Sequence, residues 1–203
     1  MDDNIMFKII LLGDSMVGKT SLLLQYSENF FPESFMSTIG VEYKMKKITI
    51  NNVDYTLQIW DTAGQERYKS ISKNFLKEAD GVIFVYDITE KKSFQSIKDW
   101  IQLQEESSEL GCKKIIIGNK CDLEDQRKVG KEKMTELCKQ LNLYGEETSA
   151  KDGTNVDKIF EKIANLIVED KQKNQNKKDS KKKKGNIKIT NSKDDPKKKK
   201  SFC

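Results

Sequence analysis

Short apolar runs alternate with longer stretches of mixed polarity over the first 169 residues of the chain. The short runs predict β-strands, at residues 7–12, 42–50, 55–60, 82–87, 114–118 and 145–148. The longer stretches place apolar residues at helical spacing and predict α-helices, at residues 19–28, 93–105, 131–142 and 155–169. Strands and helices that alternate in this way predict an α/β fold built on a mostly parallel sheet.

The second and third predicted strands differ from the others because polar and apolar residues alternate along them, as in Met45, Lys47 and Thr49. The pair Asn51-Asn52 separates them, and asparagine tolerates the positive φ that a tight turn requires. We therefore expect a hairpin there. It makes one antiparallel edge strand in a sheet of six predicted strands, flanked by about five helices.

Residues 170–203 carry 14 lysines and four acidic residues, a net charge of +10, whereas residues 1–169 carry 23 basic and 28 acidic residues, a net charge of −5. This lysine-rich tail has few apolar residues to offset the entropy of ordering, and we expect it to be disordered. The predicted organisation is thus a domain over residues 1–169 followed by the tail. The tail can be a solubilising extension, a tether to anionic membranes or a nuclear-import or nucleic-acid segment, and charge alone does not distinguish these functions.

Composition excludes several classes of protein. The 203 residues contain no histidine, which rules out serine–histidine and cysteine–histidine catalysis and histidine-ligated metals. No apolar run approaches the roughly 20 residues that cross a bilayer, and the acidic start is unlike a secretory signal. The four cysteines form no Cys-x-x-Cys pair, which is typical of a reduced compartment. We expect a cytosolic protein.

A phosphate-binding pattern, Gly-x4-Gly-Lys-Ser/Thr, follows the first predicted strand as Gly13-Asp14-Ser15-Met16-Val17-Gly18-Lys19-Thr20. In such a loop the backbone N–H groups point at phosphate oxygens, Lys19 adds charge for the β and γ phosphates, and the Thr20 hydroxyl can ligate Mg²⁺. The predicted nucleotide-binding residues of this segment are Asp14, Ser15, Met16, Val17, Gly18, Lys19, Thr20 and Ser21.

A second element, Trp60-Asp61-Thr62-Ala63-Gly64-Gln65-Glu66, ends the third predicted strand. Asp61 can hold Mg²⁺, commonly through water. Gly64 can donate its N–H to a γ-phosphate, and Gln65 can orient an attacking water. The element therefore predicts a metal ligand and a catalytic side chain.

Two further strings follow the fifth and sixth predicted strands, Asn119-Lys120-Cys121-Asp122 and Thr148-Ser149-Ala150-Lys151. Asp122 can accept two hydrogen bonds from guanine that adenine does not offer, which selects the base. Asn119 would brace the loop, Lys120 would lie along the base, and the Ala150 N–H would meet O6 of guanine. The predicted base-binding residues are Asn119, Lys120, Asp122, Ser149, Ala150 and Lys151.

Together these motifs resemble the small GTPases of the Ras superfamily, and Ile39-Gly40-Val41-Glu42-Tyr43 and Leu57-Gln58-Ile59-Trp60 resemble the Rab branch. The resemblance implies a P-loop GTPase fold and a switch that hydrolyses GTP to GDP and phosphate, slowly without an activating protein. It implies Lys19 and Gln65 as catalytic residues. It also implies that Thr38 binds Mg²⁺ with Thr20 and Asp61 and that Phe31 packs on guanine. The aromatic trio presented to effectors would be Tyr43, Trp60 and Phe75.

The resemblance also implies partners and a location. We expect an exchange factor, a GTPase-activating protein, a GDP-dissociation inhibitor or escort protein and effectors in vesicle trafficking. The protein would be a monomer that binds no nucleic acid and cycles between the cytosol and the cytoplasmic face of intracellular membranes. The lysine-rich tail and a prenyl group on Cys203 would attach it there.

Two departures from the family keep alternatives open. Met16 stands where relatives have a small residue, and Cys203 is a single terminal cysteine where Rab proteins generally have two. One alternative is a nucleotide-loaded scaffold in which Met16 has removed turnover. Another is a nuclear or RNA-associated GTPase that uses its tail as an import signal. Retention of Gln65 argues against the scaffold, and the terminal Cys203 argues against the nuclear protein.

Overall fold

One mixed sheet organises the fold. The computed structural model describes residues 5–32, 41–62, 76–107 and 111–187. The strands are β1 (Ile5–Leu12), β2 (Val41–Ile50), β3 (Val53–Thr62), β4 (Gly81–Asp87), β5 (Lys113–Asn119) and β6 (Tyr144–Glu147). They lie in the order β2-β3-β1-β4-β5-β6, with β2 antiparallel to β3 and every other pair parallel. The predicted α/β sheet with one antiparallel edge strand is confirmed.

The helices of the described residues are α1 (Lys19–Glu28), α2 (Lys91–Gln95), α3 (Ile97–Glu105), α4 (Lys131–Leu141) and α5 (Val156–Ile187), with a 3-10 turn at Glu124–Gln126. The single helix predicted over residues 93–105 is wrong, because α2 ends before Ser96 and α3 begins after it. The Ser96 hydroxyl donates to the Lys92 carbonyl at 3.1 Å. The Ser96 N–H donates to the same Lys92 carbonyl at 2.9 Å. A carbonyl shared in this way goes with a local bend of the helix, which apolar spacing does not reveal.

The predicted hairpin joins β2 to β3. Asn51 and Asn52 have φ angles of 51° and 61°, as a tight turn with two left-handed residues requires. Strand β3 pairs with β2 on one side and with β1 on the other. This double pairing carries β3 from Val53 to Thr62, two residues beyond each predicted end.

Helices cover the sheet on both faces. The central strand β4 is buried at all seven residues, as a parallel strand packed on both sides should be. On one face Ile10 and Phe84 share a core cluster with Trp100 of α3 and Leu137 of α4. On the other face Tyr26 of α1 stacks on Phe160 of α5, with ring centroids 4.1 Å apart. Both faces are filled, so the edge at the carboxyl ends of the strands is where a ligand fits.

The chain divides into two compact units, Met1–Ile167 and Val168–Cys203. Helix α5 passes the predicted domain boundary at residue 169 and ends at Ile187. In the second unit the Asn174 amide donates to Asp170 Oδ2 at 2.9 Å, one turn earlier. Lysine is a good helix former, which explains why residues 170–187 are helical here although disorder was expected. Residues 188–203 lie outside the described residues, and the limits of domain and tail stay a prediction.

Two further observations concern the helices and the cysteines of the described residues. None of the helices in the described ranges combines the length and apolar character needed to cross a membrane. Cys112, Cys121 and Cys138, the cysteines that the structure describes, are free thiols.

Candidate functional site

The predicted motifs meet at the carboxyl edge of the sheet. The glycine-containing loop of residues 13–18 follows β1, and Asp61 lies next to the end of β3. Asn119 is the last residue of β5, and Ser149 follows β6. Parallel strands bring their carboxyl ends to one edge, so residues far apart in sequence become neighbours there.

Two glycines of the loop are required by close approach of other atoms. A Cβ on Gly13 would lie 2.1 Å from the carbonyl oxygen of Val85 in β4. A Cβ on Gly18 would lie 2.4 Å from the Asn119 amide nitrogen, and Gly18 has a φ of 94°. The loop therefore packs against β4 and β5 in a way that only glycine permits at these positions.

The ammonium group of Lys19 is held inside the loop. Lys19 is 5% exposed, and its Nζ donates to the carbonyls of Gly13 at 2.9 Å and Asp14 at 2.8 Å. Burial lowers the pKa of Lys19 to about 8, while the carboxylates of Asp61 and Asp14 oppose this lowering. The group stays protonated at neutral pH, so it provides a fixed positive charge in the loop.

Oxygen ligands suited to a hard cation lie beside this charge. Thr20 Oγ1 donates to Asp61 Oδ2 at 2.6 Å, and Asp61 is fully buried. Hydroxyl and carboxylate oxygens are the ligands that Mg²⁺ takes from proteins, usually together with phosphate oxygens. The two side chains therefore fit the predicted metal. The third predicted ligand, Thr38, lies outside the described residues.

A cavity of about 400 Å³ opens next to the loop. It joins the phosphate-binding segment to both base-binding strings. Its lining consists of Met16, Gly18, Ser21, Phe31, Asn119, Lys120, Asp122, Leu123, Ala150 and Lys151. All of these except Leu123 were predicted from the sequence as nucleotide-binding residues.

Asn119 connects the three loops that surround the cavity. Its amide nitrogen donates to the Val17 carbonyl at 2.9 Å. Its amide oxygen accepts from the Thr148 hydroxyl at 3.3 Å and from the Ala150 N–H at 3.2 Å. Asn119 is 1% exposed, and this sharing of one buried amide joins the three loops.

The charged groups of the base-binding strings are also held in place. The Ser149 hydroxyl donates to Asp122 Oδ1 at 2.7 Å. Lys120 Nζ donates to the Met16 carbonyl at 2.9 Å and lies 2.6 Å from Asp87 Oδ2. Lys120 thus links the phosphate loop to the end of β4, and Asp122 faces the cavity with one oxygen held by Ser149.

Comparison with known proteins agrees with this geometry. A sequence model described as the Ras family matches residues 8–169. Rab-13 of Canis lupus familiaris is 42% identical over 163 residues, 80% of each chain. Human Rab-8B is 42% identical over 185 residues, 91% of this chain and 89% of that protein. Human Rab-15 is 42% identical over 166 residues, 82% and 78% of the two chains.

The chain belongs to the Rab branch of the Ras family. It is a Rab-like small GTPase that hydrolyses GTP and functions in membrane trafficking. The resemblance found in the sequence motifs is therefore confirmed.

Met16 combines a left-handed backbone conformation with an exposed side chain. Its φ is 69°, in the left-handed region that favours glycine, and its side chain is 56% exposed. The Met16 carbonyl still accepts the hydrogen bond from Lys120. Met16 is also one of the residues that line the cavity.

Some residues predicted for this Rab-like chain lie outside the described residues. These are Thr38, Gly64, Gln65, Phe75 and Cys203. Two of the predicted effector-facing aromatics are described: the Tyr43 and Trp60 rings lie 4.7 Å apart, and Tyr43 is 47% exposed. Val17 is buried at 2% exposure, so its contribution is its backbone.

The site of this Rab-like chain contains residues that sequence reasoning missed. Asp87 pairs with Lys120. Trp100 Nε1 donates to Asp14 Oδ1 at 2.8 Å, across 86 residues of sequence. Arg127 forms two hydrogen bonds with Glu147, immediately before the Thr148-Ser149-Ala150-Lys151 string. None of these three contacts joins two residues of the same motif.

Proposed function

We propose that the site binds GTP and GDP with Mg²⁺ and that nucleotide exchange and hydrolysis switch the chain between two partner-binding states. The supporting observation is the buried Asn119 amide, which joins the phosphate loop and both base-binding strings around one cavity. A site braced in this way holds the base and the phosphates of one nucleotide at a fixed separation. Pre-organisation of this kind lowers the entropy cost of binding.

Guanine is the base that suits Asp122. A carboxylate accepts hydrogen bonds from the N1–H and the exocyclic amine of guanine, whereas adenine would leave it without donors at that edge. Ser149 occupies only one lone-pair position of the carboxylate, at 2.7 Å. Lys120 would lie along the base, Phe31 would pack on it, and the Ala150 N–H would meet O6. Lys151 is the last residue of the Thr148-Ser149-Ala150-Lys151 string and lines the same cavity.

The phosphates are assigned to the loop and Lys19. The Lys19 ammonium and the backbone N–H groups of residues 14–21 would stabilise charge that develops during transfer of the γ-phosphoryl group. Thr20, Thr38 and Asp61 would hold Mg²⁺, which when bound neutralises charge on the β and γ phosphates. Gln65 orients the attacking water, and the Gly64 N–H binds the γ-phosphate.

The intrinsic rate is expected to be slow because Arg127, the one arginine in the part of the chain that the structure describes, is engaged by Glu124 and Glu147. A GTPase-activating protein would supply an arginine and accelerate hydrolysis by roughly 10³ to 10⁵. An exchange factor would release GDP. Effectors would bind the GTP state through the surface formed by Tyr43, Trp60 and Phe75, with Thr38 reporting the γ-phosphate.

Membrane attachment is assigned to the tail. A single prenyl chain gives marginal binding, so a prenylated Cys203 would need the tail lysines as a second signal. Each lysine near an anionic surface contributes on the order of 1 kcal/mol. An escort protein or GDP-dissociation inhibitor would return the protein to the cytosol. Mass spectrometry of the C-terminal peptide from native cells tests this: an unmodified Cys203 in a membrane-bound pool would refute the lipid.

The alternative of a scaffold without turnover is not favoured, because the chain belongs to a family of GTP hydrolases. Single-turnover decay of bound GTP, with wild type compared to Gln65→Leu, tests the proposed catalysis. We expect the variant to decay at least roughly tenfold more slowly, since it no longer positions water. Equal decay in the two proteins would contradict the role of Gln65. If wild type and Gln65→Leu decay equally and Met16→Gly then speeds the decay, the loss of GTP turnover would be assigned to Met16.

A further inference from the structure

A hydrogen bond ties the phosphate loop to a helix far away in sequence. Trp100 lies in α3, is 6% exposed and belongs to the core cluster that contains Ile10 and Phe84. Its indole nitrogen, a donor only, donates to Asp14 Oδ1 at 2.8 Å. Asp14 is the first residue after Gly13 of the loop, so a buried core side chain contacts an acidic side chain of the phosphate site.

An acidic side chain in this loop carries a specific hazard. Phosphate oxygens and the Asp14 carboxylate are both anionic, and both would bind the Lys19 ammonium and the backbone N–H groups of the loop. Lys19 Nζ already donates to the backbone carbonyl of Asp14 at 2.8 Å. A carboxylate free to rotate could therefore occupy the position that phosphate needs.

We propose that Trp100 is a positioning residue of the phosphate site, whose indole N–H holds the Asp14 carboxylate on the α3 side of the loop and leaves Lys19 available to the nucleotide. This inference rests on the proposed nucleotide binding. Trp100 touches no substrate in this account and acts through Asp14. Its effect is on retention of the nucleotide.

A double-variant cycle on the full chain separates this role from core packing. The chain is loaded with fluorescent GDP in Mg²⁺, and its release is followed after addition of excess unlabelled GDP, for wild type, Trp100→Phe, Asp14→Asn and the double variant. We expect Trp100→Phe to speed release by about tenfold, the low end of the effect of a hydrogen bond to a charged group. In the Asp14→Asn background the same change should alter release by less than about twofold, because the freed amide carries no charge.

If Trp100 acted only through packing of the core, Trp100→Phe would change GDP release by the same factor in the wild-type and Asp14→Asn backgrounds. If Trp100→Phe speeds release equally in both backgrounds, or in neither, the positioning role is overturned. The packing control is Ile101→Val, which removes a methylene from the neighbouring buried residue of α3 and should leave release unchanged. A faster release from Ile101→Val would also contradict the proposal, since any loosening of α3 would then suffice.

Asp14→Glu provides a second comparison, which does not require the Trp100→Phe variant to fold. The longer acid keeps the charge but cannot keep the same hydrogen bond, so it should release GDP faster than Asp14→Asn. Equal rates for these two variants would overturn the proposal. A wild-type chain that takes up no fluorescent GDP would instead refute nucleotide binding itself, whereas normal uptake with no effect of Trp100→Phe refutes only the inference about Trp100.

Discussion

Replacing Arg127 by methionine should destabilise the fold and loosen the guanine loop. Arg127 donates to both oxygens of Glu147, at 2.7 and 2.9 Å, and the two side chains are 13% and 8% exposed. Glu147 is the last residue of β6, and its carbonyl accepts a hydrogen bond from Asn155 at 2.8 Å. The pair therefore anchors the segment that leads to Ser149 and Ala150.

The expected loss of unfolding free energy follows from burial of the Glu147 carboxylate. Removing one partner of a buried ion pair costs about 3–5 kcal/mol because the other charge stays buried. Lys131 Nζ lies 3.4 Å from Glu147 Oε2 and compensates in part, which places the loss at the lower end, about 3 kcal/mol. For a chain of this size, each kcal/mol of unfolding free energy shifts the midpoint of thermal unfolding by about 2–4 °C, so the Tm should fall by about 6–12 °C.

Thermal unfolding at fixed excess GDP and Mg²⁺ measures this shift, with the GDP affinity of each variant measured alongside, because a variant that binds GDP more weakly gains less stability from it. The matched control is Lys44→Met, which breaks an exposed pair with Glu28 at 2.7 Å and should leave the Tm unchanged. The double variant Arg127→Met/Glu147→Met should recover at least half of the loss, since an apolar pair leaves no buried charge. A Tm for Arg127→Met that matches Lys44→Met would refute the reasoning.

Three further predictions concern the nucleotide site. Asp122→Asn should shift preference from GDP toward xanthosine diphosphate in competition assays, because the amide replaces an acceptor by a donor; unchanged preference would contradict the base assignment. Met16→Gly should raise the Tm by about 2–4 °C, since glycine removes roughly 1 kcal/mol of left-handed strain at φ 69°; a lower Tm would show that the exposed side chain stabilises the loop. Gly18→Ala should weaken GDP binding in a titration by about tenfold or more, because the added Cβ would lie 2.4 Å from the Asn119 amide nitrogen. The control Gly111→Ala should leave GDP binding unchanged, since Gly111 also has a positive φ, of 117°, but has open space around it. Equal effects of the two substitutions would implicate backbone strain alone.

The architecture was predictable because the signals for it are local. Apolar runs such as residues 82–87 and 114–118 mark buried parallel strands, and the Asn51-Asn52 pair marks the hairpin. The loop before Lys19 has a spacing set by phosphate geometry, so the sequence pattern and the binding surface coincide. Nine of the ten residues that line the cavity could be predicted on this basis, together with the family resemblance for Phe31.

The features that could not be predicted from the sequence depend mainly on contacts between distant segments. The Trp100 bond to Asp14 spans 86 residues and the Arg127 bonds to Glu147 span 20, and neither pair has a spacing that any local rule recognises. The interruption of the helix falls at Ser96, whose hydroxyl and N–H share the Lys92 carbonyl, and the spacing of apolar residues does not mark this position. The helix that continues to Ile187 reflects the helical propensity of lysine, which an argument based on charge and lack of apolar residues does not weigh.

The identity and affinity of the bound nucleotide test the central claim most directly. The protein is purified without added nucleotide and denatured, the released nucleotide is identified by chromatography, and the emptied chain is then titrated with GDP and with ADP in Mg²⁺. The account predicts GDP or GTP at about one per chain and affinity for GDP that exceeds that for ADP by roughly 10⁴-fold or more, because adenine leaves the Asp122 carboxylate unpaired. Release of ADP or ATP, or comparable affinity for the two diphosphates, would contradict it.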